Sequence, residues 1–136
     1  MASQVSQVPA APSAAALAHF SARLSLETDC WDVHHALEHG VDFVLLDVRG
    51  PDAFARAHVP HARHIPHAQL TAARLAGFPP ATLFVVYCSG PHCNGAHRAA
   101  IRLAQLNRPV KVMIGGMSGW REEGFALEHG LETQTA

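Results

Sequence analysis

The chain has 136 residues, of which 49% are hydrophobic and 15% are charged, and its formal net charge is −1. This composition favours a globular protein over a disordered one, and the length suits a single domain whose core needs no metal or disulfide. The near-zero net charge gives no reason to expect nucleic acid or an anionic membrane as a partner.

The cysteines and the first residues indicate a cytoplasmic protein. The chain has three cysteines, Cys30, Cys88 and Cys93, so at least one stays unpaired, which favours a reducing compartment over a disulfide scaffold. The N-terminus lacks the basic start and the clean apolar block of a signal peptide. No segment approaches the length of a bilayer span.

The N-terminal part of the chain predicts a tail and a helix. Residues 1–13 are rich in Pro, Ala, Ser and Gln and are predicted to form a flexible tail. A helical extension is predicted over 14–27, because Leu17, Phe20 and Leu24 recur there at helical spacing.

Strands and helices alternate through a domain predicted over 28–130, which a second flexible tail follows at 131–136. Asp29 can cap the first helix of this domain, and Gly40 can end it. Short apolar runs indicate strands, and prolines exclude a regular helix in the loop that surrounds the second strand. In chain order, the sequence predicts helices at 14–24, 28–40, 51–54, 71–78, 94–106 and 117–123, and strands at 42–48, 63–65, 82–87 and 110–114.

This alternation predicts an α/β fold with a mainly parallel sheet that helices cover on both faces. In such sheets, functional sites lie beyond the carboxyl ends of the strands. The strongest predicted strand, 82–87, ends directly before Cys88, and the strongest predicted helix, 94–106, begins soon after it. The topology therefore predicts a site at Cys88.

The stretch YCSGPHCNGAHR, which contains Cys88, has the features of a reactive-thiol loop. A loop that enters a helix N-terminus presents free amides and the positive end of the helix dipole, and both lower the pKa of a thiol. Ser89, Gly90 and Pro91 let the backbone curve around a sulfur atom, and Asn94 is placed to cap the helix. Nucleophilic attack by Cys88 is the predicted chemistry, and a buried structural cysteine is the alternative.

Three separated motifs resemble the rhodanese-like sulfurtransferase family, as a single-domain member, over about 28–127. The motifs are LLDVRGPDAF with AHVPHARHIP, then VVYC with the loop that follows, and then GGMSGW. The resemblance implies an α/β fold with a central, mainly parallel, five-stranded sheet. It also implies a loop of backbone amides around the reactive thiol, formed by Ser89, Gly90, Pro91, His92, Cys93, Asn94 and Gly95.

By the same resemblance, Cys88 takes a sulfane sulfur from a donor such as thiosulfate, a persulfide or a polysulfide. The resulting persulfide is stabilised by the loop amides and discharged to a thiophilic acceptor. Asp47 and Arg49 match a strand-end pair of the family, with a supporting rather than catalytic role, and Asp52 lies where an acidic partner for Arg49 is common. The resemblance implies no organic cofactor.

The loop departs from the family pattern in its charges. Ser89 stands where a basic residue is common, so the only cations near the loop are His92, His97 and Arg98. Fewer fixed charges predict weaker binding of dianionic thiosulfate, which leaves the donor open. The alternative function is a non-catalytic regulatory or protein-binding module. A related phosphatase or arsenate reductase is disfavoured, because Asn94 stands where such enzymes have an arginine.

Cys93 has two interpretations that its spacing from Cys88 leaves open. As a resolving thiol, it would attack a Cys88 persulfide and release sulfide. As a structural residue, it would pack under the loop. Spacing in sequence does not determine the distance between the two sulfur atoms.

Other conspicuous residues are predicted to be structural. Four histidines recur every three residues, but Pro60 and Pro66 exclude a helix there, and in an extended chain they lie too far apart to share one ion. No metal site is therefore expected. Among these histidines, the first fits the family element and the others are expected in a solvated loop: His58, His61, His64 and His67. Core positions are predicted for Cys30, Trp31, Tyr87 and Trp120.

Overall fold

The structure is a computed structural model and describes residues 1–131. The tail predicted at 131–136 therefore lies outside the described residues except for residue 131. Within them, no helix is long and apolar enough to cross a membrane. The helices are α1 (Ser13–Leu26), α2 (Cys30–His39), α3 (Pro51–Arg56), a 3₁₀ helix (His67–Gln69), α4 (Ala72–Leu75), α5 (Gly95–Gln105) and α6 (Gly116–Glu122). The strands are β1 (Glu27–Asp29), β2 (Val44–Asp47), β3 (Arg63–His64), β4 (Phe84–Tyr87) and β5 (Val110–Ile114).

The five strands form one parallel sheet in the order β1-β5-β4-β2-β3. The predicted α/β fold with a parallel five-stranded sheet is confirmed. Strand β4 lies at the centre, and its last residue, Tyr87, is in register with Asp47 at the end of β2. All carboxyl ends of parallel strands meet at one edge, so the residues that follow β2 and β4 come together there.

Helices pack on both faces of the sheet, because alternate strand residues point to opposite sides. On one face, Val85 and Tyr87 belong to a buried cluster with residues of α2, α3 and α6. On the other face, Phe84 and Val86 pack with residues of α4 and α5. All four residues of β4 are buried, as expected for the central strand of a parallel sheet.

The edge strand β1 was not predicted as a strand. It consists of only Glu27, Thr28 and Asp29, two of them acidic, and it pairs with β5 alone. An edge strand with one neighbour needs no apolar run, so its sequence carries no strand signal. Asp29 also caps α2 as predicted, since its side chain accepts a hydrogen bond of 2.8 Å from the amide of Asp32.

Two apolar features pack less than their sequence indicates. Helix α1 forms where predicted, but Leu17, Phe20 and Leu24 on it are 60% to 75% exposed, and none of its residues is buried. Trp31 was predicted in the core and is instead 60% exposed, which corrects that prediction. Its indole N–H donates to Glu123 over 3.1 Å at the surface.

Candidate functional site

Cys88 lies at the carboxyl end of the central strand, where the fold places functional residues. It is 6% exposed, and its sulfur faces the start of α5. The loop that follows makes its own turn, since the amide of Cys93 donates to the carbonyl of Gly90 over 3.1 Å. This turn brings the end of the loop back over Cys88.

The turn joins the two thiols of the loop. The sulfur atoms of Cys88 and Cys93 are bonded as a disulfide, with their Cα atoms 6.5 Å apart. This Cα separation lies within the range that disulfides span without backbone movement. Cys93 is half-buried and therefore more accessible than Cys88. Cys30 is the free cysteine of the described residues, and it is buried in the core as predicted.

Gly95, the first residue of α5, is where the helix meets both sulfur atoms. A Cβ atom there would lie 2.8 Å from Sγ of Cys88 and 3.4 Å from Sγ of Cys93. The Gly95 amide donates to Sγ of Cys93 over 3.4 Å. A side chain at this position would occupy the space that the sulfurs share. Gly95 therefore lets the positive end of the α5 dipole approach them.

Asn94 holds the N-cap position of α5, but its side chain makes no capping bond to the helix amides. Its Oδ1 atom instead accepts a hydrogen bond of 3.2 Å from Nε of Arg98. The prediction that the Asn94 side chain caps the helix was wrong, because Arg98, one turn later, competes for the same oxygen.

The N-terminus of α6 supports the first two residues of the loop. The amide of Met117 donates to the carbonyl of Cys88 over 3.0 Å, and Ser118 donates to the carbonyl of Ser89 from its amide and its hydroxyl, over 2.9 and 3.0 Å. Gly116 has φ +55°, and a Cβ atom there would collide with the Cys88 carbonyl oxygen. The motif GGMSGW thus buttresses the thiol loop, a role that the sequence did not reveal.

A buried polar network lies beneath Cys88, at the ends of β2 and β4. Nη2 of Arg49 lies 2.7 Å from Oδ2 of Asp47, and the Tyr87 hydroxyl donates to the same oxygen over 2.7 Å. Arg49 also donates to the carbonyl of Ala57 over 2.6 Å. The partner of Arg49 is therefore Asp47, two residues earlier, whereas Asp52, the partner expected from the family, is exposed on α3.

The network keeps both Tyr87 and Arg49 protonated. Burial, together with the negative charge of Asp47, raises the pKa of the Tyr87 hydroxyl well above its usual range, so it stays a hydrogen-bond donor. Burial by itself would lower the pKa of Arg49, but the hydrogen bond and charge of Asp47 outweigh burial and raise that pKa. Arg49 therefore stays charged, and its charge is paired with the carboxylate of Asp47.

Two cavities reach the cysteine pair from different sides. One, of about 310 Å³, is lined by both cysteines, by His97 and by the turn before α6. The other, of about 440 Å³, is lined by both cysteines, Arg49 and Arg98. It also contacts His67, whose buried Nδ1 atom has no hydrogen-bond partner among the described residues. His92 lines neither of these cavities and borders instead a more open depression, together with Cys93 and His97.

In the histidine-rich loop, His61 is exposed as predicted, whereas His64 and His67 are half-buried and thus less solvated than predicted. His58 is fully buried, its ring stacks on Phe54 at 3.7 Å, and its Nδ1 atom lies 2.8 Å from the Phe54 carbonyl. His64 is half-buried, and its Nε2 atom lies 2.7 Å from the carbonyl of Arg49. Their hydrogen bonds attach the loop to α3 and to the polar network. The described residues contain no group of three or more His, Cys, Asp or Glu suited to hold a metal ion.

The chain is similar to several known proteins. The model of the Rhodanese-like domain family matches residues 31–123. An HTH-type transcriptional regulator of Mycobacterium tuberculosis, Rv0324, is 35% identical over 89 residues, and the match spans 65% of this chain but only 39% of the regulator.

Two solved structures illustrate the shared fold. The BH2092 protein from Bacillus halodurans is 34% identical, with a TM-score of 0.84 over 88% of this chain and 88% of that one. A thiosulfate sulfurtransferase from Pseudomonas aeruginosa is 25% identical, with a TM-score of 0.67 over 84% of this chain and 22% of that enzyme.

Proposed function

The chain belongs to the rhodanese-like domain family, and from this premise we propose that it is a sulfurtransferase that carries sulfane sulfur as a persulfide on Cys88. With thiosulfate as donor, the Cys88 thiolate attacks the outer sulfur, the S–S bond of thiosulfate breaks, and sulfite leaves with the bonding electrons. A thiophilic acceptor then attacks the outer sulfur of the persulfide and restores the thiolate.

The observation that carries this proposal is the position of Cys88 between the central strand and the N-terminus of α5, beside two cavities. The positive end of α5 favours an anion on the sulfur, which is what both the thiolate and the persulfide are. Two openings offer separate approaches for a donor and an acceptor. The thiosulfate sulfurtransferase among the structural relatives supports this chemistry by analogy.

The charges around the site favour a donor other than thiosulfate. Arg49 faces one cavity, but Asp47 neutralises it. Arg98 and His97 are exposed and line different cavities. Among residues 1–131, a dianion therefore finds no clamp of paired cations, whereas a persulfide or polysulfide donor needs less positive charge.

A regulatory module is the second candidate, and the relation to a transcriptional regulator favours it. The match covers 39% of the regulator's length, so the region similar to this chain is only one part of that regulator. Under this alternative, the domain binds a partner and Cys88 need not turn over sulfur. A phosphatase or arsenate reductase has less support, because Asn94 bonds Arg98 and offers no positive charge to an oxyanion.

Intact-mass measurement separates the two candidates. The reduced wild-type protein and the Cys88→Ser, Cys93→Ser and Cys30→Ser variants are exposed to thiosulfate or inorganic polysulfide without air. We expect Cys93→Ser to gain about 32 Da, which cyanide removes. Cys88→Ser should show no such gain with either donor. Cys30→Ser, the matched control for a thiol outside the loop, should behave as wild type. If Cys93→Ser gains no sulfur from any donor, the sulfurtransferase proposal fails and the regulatory one is favoured.

A further inference from the structure

We infer that Cys93 is a resolving thiol that gives this site a second outcome: release of the carried sulfur as sulfide. The inference rests on the proposed persulfide at Cys88. What points to it is the bond between the two sulfur atoms, which sets Cys93 where it can reach the inner sulfur of a persulfide on Cys88. A persulfide held beside a second thiol has an acceptor within the same loop.

The step balances without any further reactant. Sγ of Cys93 attacks Sγ of Cys88, the bond from Cys88 to the sulfane sulfur breaks, and hydrosulfide leaves with the electron pair and the Cys93 proton. The two cysteine sulfurs together lose two electrons, which the sulfane sulfur gains. The product on the protein is the Cys88–Cys93 disulfide, the bond that the structure contains.

The surroundings of the pair suit attack at the inner sulfur. Gly95 leaves the space between α5 and the two sulfurs open, and its amide lies 3.4 Å from Sγ of Cys93, where it stabilises a thiolate. Both sulfurs border the cavity of about 310 Å³, which gives the departing hydrosulfide an exit beside His97. The carbonyls of Cys88 and Ser89 are fixed by α6, so the inner sulfur stays in place while Cys93 approaches.

Turnover then requires an external dithiol reductant, such as a thiol–disulfide oxidoreductase. Its first thiolate attacks the more accessible sulfur, Cys93, and Cys88 leaves as a thiolate at the positive end of α5. Its second thiolate releases Cys93. The domain would thus consume sulfane sulfur formed by an oxidative reaction and return sulfide, and it depends on a reaction that supplies dithiol.

Single-turnover experiments test this inference on the whole chain. Anaerobically reduced and desalted protein is mixed with thiosulfate or polysulfide, whichever loads Cys93→Ser, and no thiol is added. For wild type and Cys30→Ser we expect a disulfide, seen as a mass about 2 Da below the reduced protein. Alkylation under denaturing conditions should then add no group to Cys30→Ser and one group, on Cys30, to wild type. With thiosulfate, about one sulfide per chain should accompany the disulfide. Cys93→Ser should keep its persulfide and release sulfide about tenfold more slowly or not at all.

Three outcomes would overturn the inference and leave the proposed function intact. The first is a wild-type persulfide as long-lived as that of Cys93→Ser. The second is a disulfide that forms with a thiol oxidant such as diamide but not with the sulfur donor. The disulfide would then arise from oxidation of the two thiols and not from a persulfide. The third is sulfide release without loss of the Cys93 thiol.

Failure of the proposed function is recognised separately, because Cys93→Ser would then gain no sulfur at all. Thermal unfolding of each variant checks folding. If Cys93→Ser does not fold, the order of species in wild type decides: a persulfide that precedes the disulfide supports the inference, and a disulfide without a preceding persulfide contradicts it.

Discussion

Tyr87 connects the thiol to the core of the protein. It directly precedes Cys88, its hydroxyl donates to Asp47 over 2.7 Å, and it accepts a hydrogen bond of 3.1 Å from the amide of Val59. One phenol thus joins the ends of β2 and β4 to the loop before β3. Its apolar ring and its position in a strand predict burial from the sequence, but its hydrogen-bond partners lie 28 and 40 residues away and cannot be predicted from spacing.

Tyr87→Phe removes the hydroxyl, so the Asp47 carboxylate loses a hydrogen-bond donor and the Val59 amide loses its acceptor. We expect the free energy of unfolding to fall by about 1–3 kcal/mol, since unmade buried hydrogen bonds are costly. Denaturant unfolding measures the loss, and sulfur loading of Cys88 should persist when the variant is folded. A stability equal to wild type would show that the hydroxyl does not support the network.

Sequence reasoning predicted the position of Cys88 better than the contacts around it. Cys88 was predicted at a strand end, because the apolar run before it and the Gly- and Pro-rich loop after it are local signals. The bond to Cys93 depends on how the loop turns back over β4, which residue spacing does not determine. Trp31 and Asn94 were misjudged for the same reason, since their neighbours in space decide where their side chains lie.

At the scale of elements, strands and helices with strong local patterns were predicted, and those formed by tertiary contact were not. Strand β4 and helix α5 follow from an apolar run and an amphipathic pattern. Strand β1 exists because β5 offers it a pairing edge, and its three residues have no strand pattern of their own. The supporting role of α6 likewise required the fold that brings its first turn to the Cys88 carbonyl.

The junction of α5 with the thiols gives a prediction for Gly95→Ala. The added methyl would lie 2.8 Å from Sγ of Cys88, closer than side-chain atoms approach, so the sulfur must move. We expect sulfur loading of Cys88 to slow about tenfold or more, because small misplacements at a reacting atom have large kinetic effects. Gly77→Ala is the matched control, since a Cβ atom at Gly77 meets nothing within 4 Å.

Loading rates are measured by quenched intact mass, and thermal unfolding reports whether the Gly95→Ala fold survives. A folded variant that loads sulfur as fast as Gly77→Ala would contradict the role assigned to the open space at the start of α5.

At the scale of the whole molecule, Cys30 makes the free energy of unfolding depend on pH in the alkaline range. Burial, with the negative charges of Asp29 and Glu123, raises the pKa of the Cys30 thiol from 9.0 to about 11. The folded state therefore holds this proton where the unfolded chain has lost it. The stabilisation is complete below pH 9 and is lost as the pH rises towards 11.

Cys30→Ala should flatten this dependence. We expect the free energy of unfolding of wild type to fall more steeply with pH between about 9 and 11 than that of the variant. The raised pKa of Tyr87 acts in the same direction in both proteins, so only the difference between them reports Cys30. Parallel pH profiles from denaturant unfolding would show that Cys30 ionises equally in both states.

The fold places the Cys88 thiol at the carboxyl end of the central strand, where we propose that it carries sulfur. Locating the sulfur is the most direct test. Reduced Cys93→Ser protein is exposed to a sulfur donor without air, alkylated and digested, and its two remaining cysteine peptides are examined by mass spectrometry. We predict an alkylated persulfide on the Cys88 peptide and an unmodified or simply alkylated Cys30. No persulfide on Cys88, or an equal amount on Cys30, would rule out Cys88 as the specific sulfur carrier.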